Sequence, residues 1–350
     1  MNNFFPIRKQ IETTKILKQL NKSSRALAEL KVYFELIPNK DILINSLVLQ
    51  EAKISLEIEN VVTTYDNLYK SIVIPKNIGG DIKQIINYRK TLLKGVSLIQ
   101  SSSCIEAKTI LQIQEMLEDG KSGIRKIKGK ILRSKSNGDI VYVPSKEIFF
   151  IQDLLKNIEN YYNKQTEIDS LIKLAVSYAQ FEGFCIFHKG NGTSGRILNV
   201  LYLLKENLLS SPILCLSSYI IKNKENYYDF LNKITKENKW EEWIIYILKG
   251  IEFSSKKTLE VAKKIKNLMD KTTIEVKKKL PKIYSEELIE FIFAEVYTKG
   301  SNLVKKGFAN RKTVSKYLKS MEEINILKRE KIGREIVYIN INLFNLLKST

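Results

Sequence analysis

The sequence predicts a mainly α-helical chain with one two-stranded hairpin in its middle and a small separate unit at its C-terminus. Three observations predict it. Apolar residues recur at helical spacing through most of the chain. The period turns β-like between Gly120 and Pro144, around the turn dipeptide Asn137-Gly138, and Pro281 closes a lysine-rich helix. With 350 residues and 44% apolar content, the chain is long enough to bury cores in about two domains. The longest apolar stretches, Ile197 to Leu204 and Pro212 to Ile221, are too short or too interrupted to cross a bilayer. Residues 1–9 lack the basic start and long apolar run of a secretory signal, so a cytoplasmic protein with no membrane partner is expected. Three scattered cysteines and a single histidine, His188, exclude a disulfide framework, a structural zinc site and hydrolases built on several histidines.

In chain order, Thr13 to Leu36, Asp41 to Val62 and Asp81 to Gln100 read as helices, with a break at Pro38-Asn39. They make an N-terminal helical region, 1–115. The hairpin at 120–144 follows, then helices over Glu147 to Asn163 and Ser170 to Phe187. A glycine-rich loop at 185–196 and a helix from Gly195 to Glu206 complete a central domain, 116–255. A linker helix occupies 256–281, and the smaller unit spans 282–350.

The net charge of +20 suggests an anionic partner, yet only nine of the 58 basic residues are arginine, and the chain is crowded with Asn and Ile. Diffuse lysine is partly compositional background. The location of the charge says more: Lys299 to Arg334 holds eleven basic residues against three acidic ones. In that unit, Glu286 to Ala294, Asn302 to Gly307 and Asn310 to Ile326 read as helices, and Leu327 to Tyr338 as a hairpin turning near Gly333. This is the order of a winged helix-turn-helix. Val314 and Leu318 then face the core, while Arg311, Lys312, Ser315 and Lys316 face outward as a recognition helix does, and Lys328 and Arg329 head a basic wing. Duplex DNA is the partner this pattern implies, with protein contacts as the alternative use of the same unit.

The chemical centre is Phe187-His188-Lys189-Gly190-Asn191-Gly192-Thr193-Ser194-Gly195-Arg196. Two glycines around an asparagine let backbone N–H groups converge, and the helix that follows points its positive end at the same place, a nest suited to phosphate. With the residues before it, from Phe181, this segment resembles the Fic (Fido) motif, normally His-Pro-Phe-x-Asp/Glu-Gly-Asn-Gly-Arg-x-x-Arg. Upstream, Glu51-Ala52-Lys53-Ile54-Ser55-Leu56-Glu57-Ile58-Glu59-Asn60 resembles the family's N-terminal inhibitory helix, Ser/Thr-x-x-x-Glu-Gly/Asn. Gly120 to Pro144 resembles its flap, and the C-terminal unit the winged helix that follows many bacterial members. The fold so implied is a Fic helical domain with a β-hairpin flap and a winged helix-turn-helix.

The resemblance implies transfer of AMP from ATP to a hydroxyl of a target protein. The motif histidine takes the hydroxyl proton, the acidic residue holds Mg²⁺, and the nest and arginines neutralise the phosphates. Gly190, Asn191, Gly192, Gly195 and Arg196 match the nucleotide-binding positions. Cys185 stands at the histidine position, Lys189 at the acidic one, Thr193 at the first arginine and Ile186 at the proline. A positioned general base contributes about 10²–10⁴-fold, so these changes imply an inactive or severely impaired transferase. ATP is the implied ligand, and Mg²⁺ is doubtful because of Lys189. Cys185 reads as a small buried thiol, or as a base or nucleophile if Lys189 lowers its pKa; His188 reads as a loop residue rather than a substitute base.

Ser55 and Glu59 share a helix face, which would let Glu59 reach Arg196 and occupy the space meant for the γ-phosphate, a solvated helical glutamate being the alternative. Tyr227 and Tyr228 fall where the family has aromatic residues near the adenine, with core packing as the alternative. On the flap a target peptide adds as an extra strand, and Lys126, Lys128, Lys130 and Arg133 favour an acidic one, a solvated basic hairpin being the alternative. The competing reading is a DNA-binding regulator whose Fic domain is a nucleotide-binding or dimerising scaffold, hence a homo-oligomer.

Overall fold

The computed structural model describes residues 6–37, 39–75, 79–120, 123–125, 132–133, 140–142, 151–164 and 166–349. A single turn, α1 (Arg8–Ile11), precedes α2 (Thr14–Glu35), whose first turn is capped by the Thr13 hydroxyl accepting from the Ile16 N–H. Helix α3 (Asp41–Ile58) was expected to continue to Val62. It stops because Asn60 takes a left-handed φ of 66°, a conformation asparagine tolerates and one that ends helices. After this corner comes α4 (Tyr65–Val73), not anticipated from periodicity, with Thr64 as its N-cap. Helices α5 (Gly80–Ser102) and α6 (Ala107–Leu117) complete the N-terminal half.

The flap strands β1 (Leu132–Arg133) and β2 (Ile140–Tyr142) pair antiparallel, as the hairpin reading requires. The Asn137-Gly138 turn and Lys126, Lys128 and Lys130 lie outside the described residues. Helix α7 (Ile151–Asn163) leads to α8 (Ser170–Phe184) and α9 (Asn191–Lys205), then α10 (Ser217–Lys222) and α11 (Lys224–Glu237). Residues 171–183 of α8 and 193–203 of α9 are buried on every side, so these two helices form the centre of the core. They approach closely at Gly195, where a Cβ would meet the Tyr178 ring at 2.9 Å and the Phe181 ring at 3.2 Å.

Helix α12 (Glu241–Lys279) is one unbroken rod of about 58 Å. It was expected to start at Lys256, but its apolar stripe begins at Trp243 and packs along α2. Its first half therefore belongs to the core. Beyond Pro281 lie α13 (Glu286–Ala294), β3 (Tyr297–Thr298), α14 (Gly300–Lys305), α15 (Arg311–Glu323), β4 (Leu327–Ile332), β5 (Glu335–Asn340) and α16 (Ile341–Lys348). The three strands form an antiparallel sheet in the order β3–β5–β4. This is the helix and strand order of a winged helix-turn-helix. Among the described residues no helix is long and apolar enough to cross a membrane.

Candidate functional site

Helix α8 ends at Phe184, three residues earlier than its periodicity predicts, because Cys185 adopts a left-handed conformation (φ 45°). Ile186 and Phe187 then run extended. The Ile124 and Phe187 backbones form an isolated antiparallel bridge, and the Arg125 N–H donates to the Ile186 carbonyl at 3.0 Å. The Arg125 side chain, 2% exposed, donates to the carbonyls of Cys185 (2.8 Å) and Phe184 (3.1 Å). A buried guanidinium thus satisfies the carbonyls at the end of α8 and ties the base of the flap to the loop.

The loop itself is shorter than expected, since α9 begins at Asn191 rather than Gly195. Asn191 closes it: its side chain accepts from the Phe187 N–H and donates to the Phe187 carbonyl, both at 2.8 Å. Gly190 precedes the helix at φ 74°, a conformation that favours glycine. Gly192 and Thr193 consequently sit in the first turn of α9, where backbone N–H groups lack intrahelical acceptors. The Thr193 hydroxyl donates to the Gly190 carbonyl at 3.1 Å.

Arg196, one turn on, is 2% exposed. Its Nε donates to Ser55 Oγ at 2.7 Å, and one terminal nitrogen donates to the Ser55 carbonyl and to Glu59 Oε1, each at 3.0 Å. The Ser55–Glu59–Arg196 contact expected from the spacing on α3 is therefore present. The Glu59 carboxylate also lies over Gly192, where a Cβ would meet Glu59 Oε1 at 2.5 Å. The cradle at the head of α9 is occupied by an anion of the chain itself. Lys224, at the start of α11, donates to the Ile58 carbonyl at 2.6 Å and completes the end of α3.

Burial, reinforced by the charge of Glu182, pushes the Cys185 thiol up to about 12 although Arg125 opposes it, and the thiol donates to the Glu182 carbonyl at 3.3 Å. The side chain is half-buried and holds a protonated thiol, not a thiolate. Lys189 and His188 are exposed, and the Lys189 carbonyl accepts from Gln114 Nε2 at 3.1 Å. Tyr227 is a core residue: its hydroxyl lies 2.8 Å from that of Tyr178, and its ring packs on Trp243 at 5.3 Å. The adenine-side role expected of both tyrosines is open only to Tyr228, which is half-buried and feels the charges of Glu59 and Glu182. Gly195, grouped by sequence with the nucleotide contacts, serves the packing of α9 on α8.

Sequence reasoning missed Glu182. This buried carboxyl on α8 is raised to about 7, chiefly by burial, with Arg196 opposing and Glu59 adding to the rise. Its Oε1 has no hydrogen-bond partner among the described residues. The signal was available, since α8 has apolar residues on every face and so takes its polar residues, Glu182 with Lys173 and Gln180, into the core.

On the C-terminal unit, Arg311, Lys312, Ser315 and Lys316 are exposed along α15, with Val314 and Leu318 inward. Lys328 and Arg329 are also exposed, but as neighbours on β4 they leave opposite faces of the sheet. Lys328 acts on Asp66 of α4, whereas Arg329 acts on Tyr338. The two do not form one wing surface.

The sequence matches the Fic/DOC family N-terminal domain over residues 17–97, the Fic/DOC domain over 104–203 and the C-terminal domain of SoFic-like protein adenylyltransferases over 268–343. Among solved structures, the fold is similar to a Fic family protein from Desulfovibrio desulfuricans, at 16% identity and a TM-score of 0.59, covering 94% of this chain and 96% of that one. Fic-1 from C. elegans (residues 134–508) matches at 16% identity and a TM-score of 0.55 over 71% of this chain and 74% of its own. A Fic domain containing signaling protein from Bacteroides thetaiotaomicron matches at 14% and 0.51 over 71% and 97%.

Proposed function

Because the chain belongs to the Fic/DOC family, we propose that it is a nucleotide-binding member whose transfer of AMP to a protein hydroxyl is lost or reduced to a trace. The observation that carries this reading is the state of Cys185. At the position of the family's base it holds a thiol pushed up to about 12, protonated at neutral pH and turned toward a carbonyl. Losing a positioned base removes about 10²–10⁴-fold of rate. Lys189 supports the same reading, since an ammonium replaces the carboxylate that would meet Mg²⁺. With Lys189 at that position the motif loop brings no carboxylate to a metal ion, so Mg²⁺ is a doubtful partner of this site.

ATP does fit. Gly190 to Gly192, the head of α9 and Arg196 offer N–H donors and a cation, and the Glu59 carboxylate now takes the place that phosphate charge would fill. Bound ATP supplies the phosphates that these residues neutralise. Arg196 changes partner from Glu59 to phosphate, and Asn191 keeps the loop closed around the nest.

Incubation with α-labelled ATP, Mg²⁺ or Mn²⁺ and cell lysate tests the reading. Wild type should label nothing. Cys185→His with Lys189→Asp and Thr193→Arg should restore transfer, and Glu59→Gly should raise it further. Strong wild-type labelling that survives Cys185→Ala overturns the reading. A target peptide adding to the flap belongs to the same proposal.

A second reading, a DNA-binding regulator, is favoured by the exposed basic side chains along α15. A band shift of the full chain on duplex DNA that weakens steeply with salt supports it. No shift at low salt leaves the unit as a protein-contact module.

A further inference from the structure

Glu59 sits in the corner between α3 and α4, and both arms of that corner are docked on the C-terminal unit. On α3, Asn45 donates to the Ala294 carbonyl (3.4 Å) at the end of α13, and Gln50 donates to the Leu347 carbonyl (2.9 Å) of α16. On α4, Asp66 accepts from the Tyr297 hydroxyl at 2.7 Å, and Lys70 bridges Asp66 (2.9 Å) and Glu330 of β4 (2.6 Å). The Tyr69 ring stacks on Tyr297 at 5.4 Å with 4° between the planes. The corner is braced from within, where Lys53 pairs with Glu57 and lies 4.9 Å from the Tyr65 ring centroid. Only residues 59–64 separate the two helices, and along α3 the rise from these anchors to Ser55 is about 15 Å from Asn45 and about 8 Å from Gln50, with Glu59 at the helix end.

We infer that the C-terminal unit controls the Glu59–Arg196 contact, and that duplex DNA on the face bearing β4 loosens the corner and opens the nest. The inference rests on the DNA reading for its input but not for its mechanism. The contact of β4 with α4 is charged. Burial acts to raise Asp66, yet the Tyr297 hydroxyl, Lys70 and Lys328 together hold it below the usual carboxylate range. A phosphate backbone competes with Asp66 and Glu330 for Lys70, and with Asp66 for Lys328, and repels both carboxylates. By linkage, an anion that displaces Glu59 from Arg196 must change DNA affinity by the same factor.

Amide hydrogen exchange on the full chain tests this, read at residues 56–60. Glu330→Ala should speed exchange there about threefold, the scale of a surface bridge. Asn45→Ala with Gln50→Ala should speed it about tenfold, and mixed-sequence duplex DNA should speed it in wild type. Unchanged exchange in both variants overturns control by the C-terminal unit whatever DNA does. If the variants speed exchange and DNA binds without doing so, DNA as the input is overturned. If DNA does not bind at all, the regulator reading falls with it, while the variants still decide the coupling.

Discussion

Arg196 and Arg125 are each 2% exposed and spend their donors inside the chain, on Ser55, Glu59 and the carbonyls that end α8. Arg311 and Arg329 are exposed on the C-terminal unit, Arg329 near enough to Tyr338 to act on it. The same residue type is therefore a structural tie in one region and an exposed charge in the other. An anion that reaches Arg196 must first break an internal bond, so its affinity would be a competition; an anion that reaches Arg311 would exchange counterions, and its binding would be read through salt.

The largest effect that would break this comparison comes from Arg196→Ala. Removing a buried cation strands Ser55 and leaves the buried Glu182 carboxyl without compensation, so the loss of stability should be about 3–5 kcal/mol by denaturant unfolding. A loss under 1 kcal/mol would mean the guanidinium is no structural tie.

Next comes the pH dependence of Glu182. Its folded-state pKa of about 7 lies above the ordinary 4.5, so between these values the folded chain binds more protons than the unfolded one. Stability therefore falls as pH rises through that window, by an amount on the order of 3 kcal/mol. Glu182→Gln should flatten the fall, and Glu59→Gly should move it to lower pH, because Glu59 helps raise the carboxyl. Identical curves for wild type and Glu182→Gln between pH 4.5 and 7 would refute the assignment.

Gly195→Ala should cost about 1–3 kcal/mol, since the new methyl meets two rings of α8 that have no room to move. At the other extreme, Arg311→Ala should change stability by less than about 0.5 kcal/mol while weakening DNA binding. A large stability loss there would place Arg311 with the buried arginines instead.

The helical character, the hairpin, the i, i+4 spacing of Ser55 and Glu59 and the inward set of Val314 and Leu318 were legible because each rests on a local period or on a motif within a few residues. Helix ends were less so. Asn60 and Cys185 stop their helices by left-handed conformations that periodicity does not register. Asn191 starts α9 early through bonds to Phe187 that only a folded loop supplies. The C-terminal half was misjudged where one long period, Glu241 to Lys279, served two packing partners.

Residue order alone determined which groups are available at the nest, the Cys185 thiol and the Lys189 ammonium, and placed a basic cluster near the C-terminus. Tertiary structure decided how those groups behave. It desolvated Cys185 and buried Glu182 and so moved both titrations, turned Tyr227 into core, split Lys328 and Arg329 between two faces, and hung the Glu59 corner on the C-terminal unit. The physical reason is range. Periodicity and motif spacing act over one or two turns, whereas desolvation and charge coupling depend on which distant segments close over a group, as α8, α9, α3 and α11 close around Arg196.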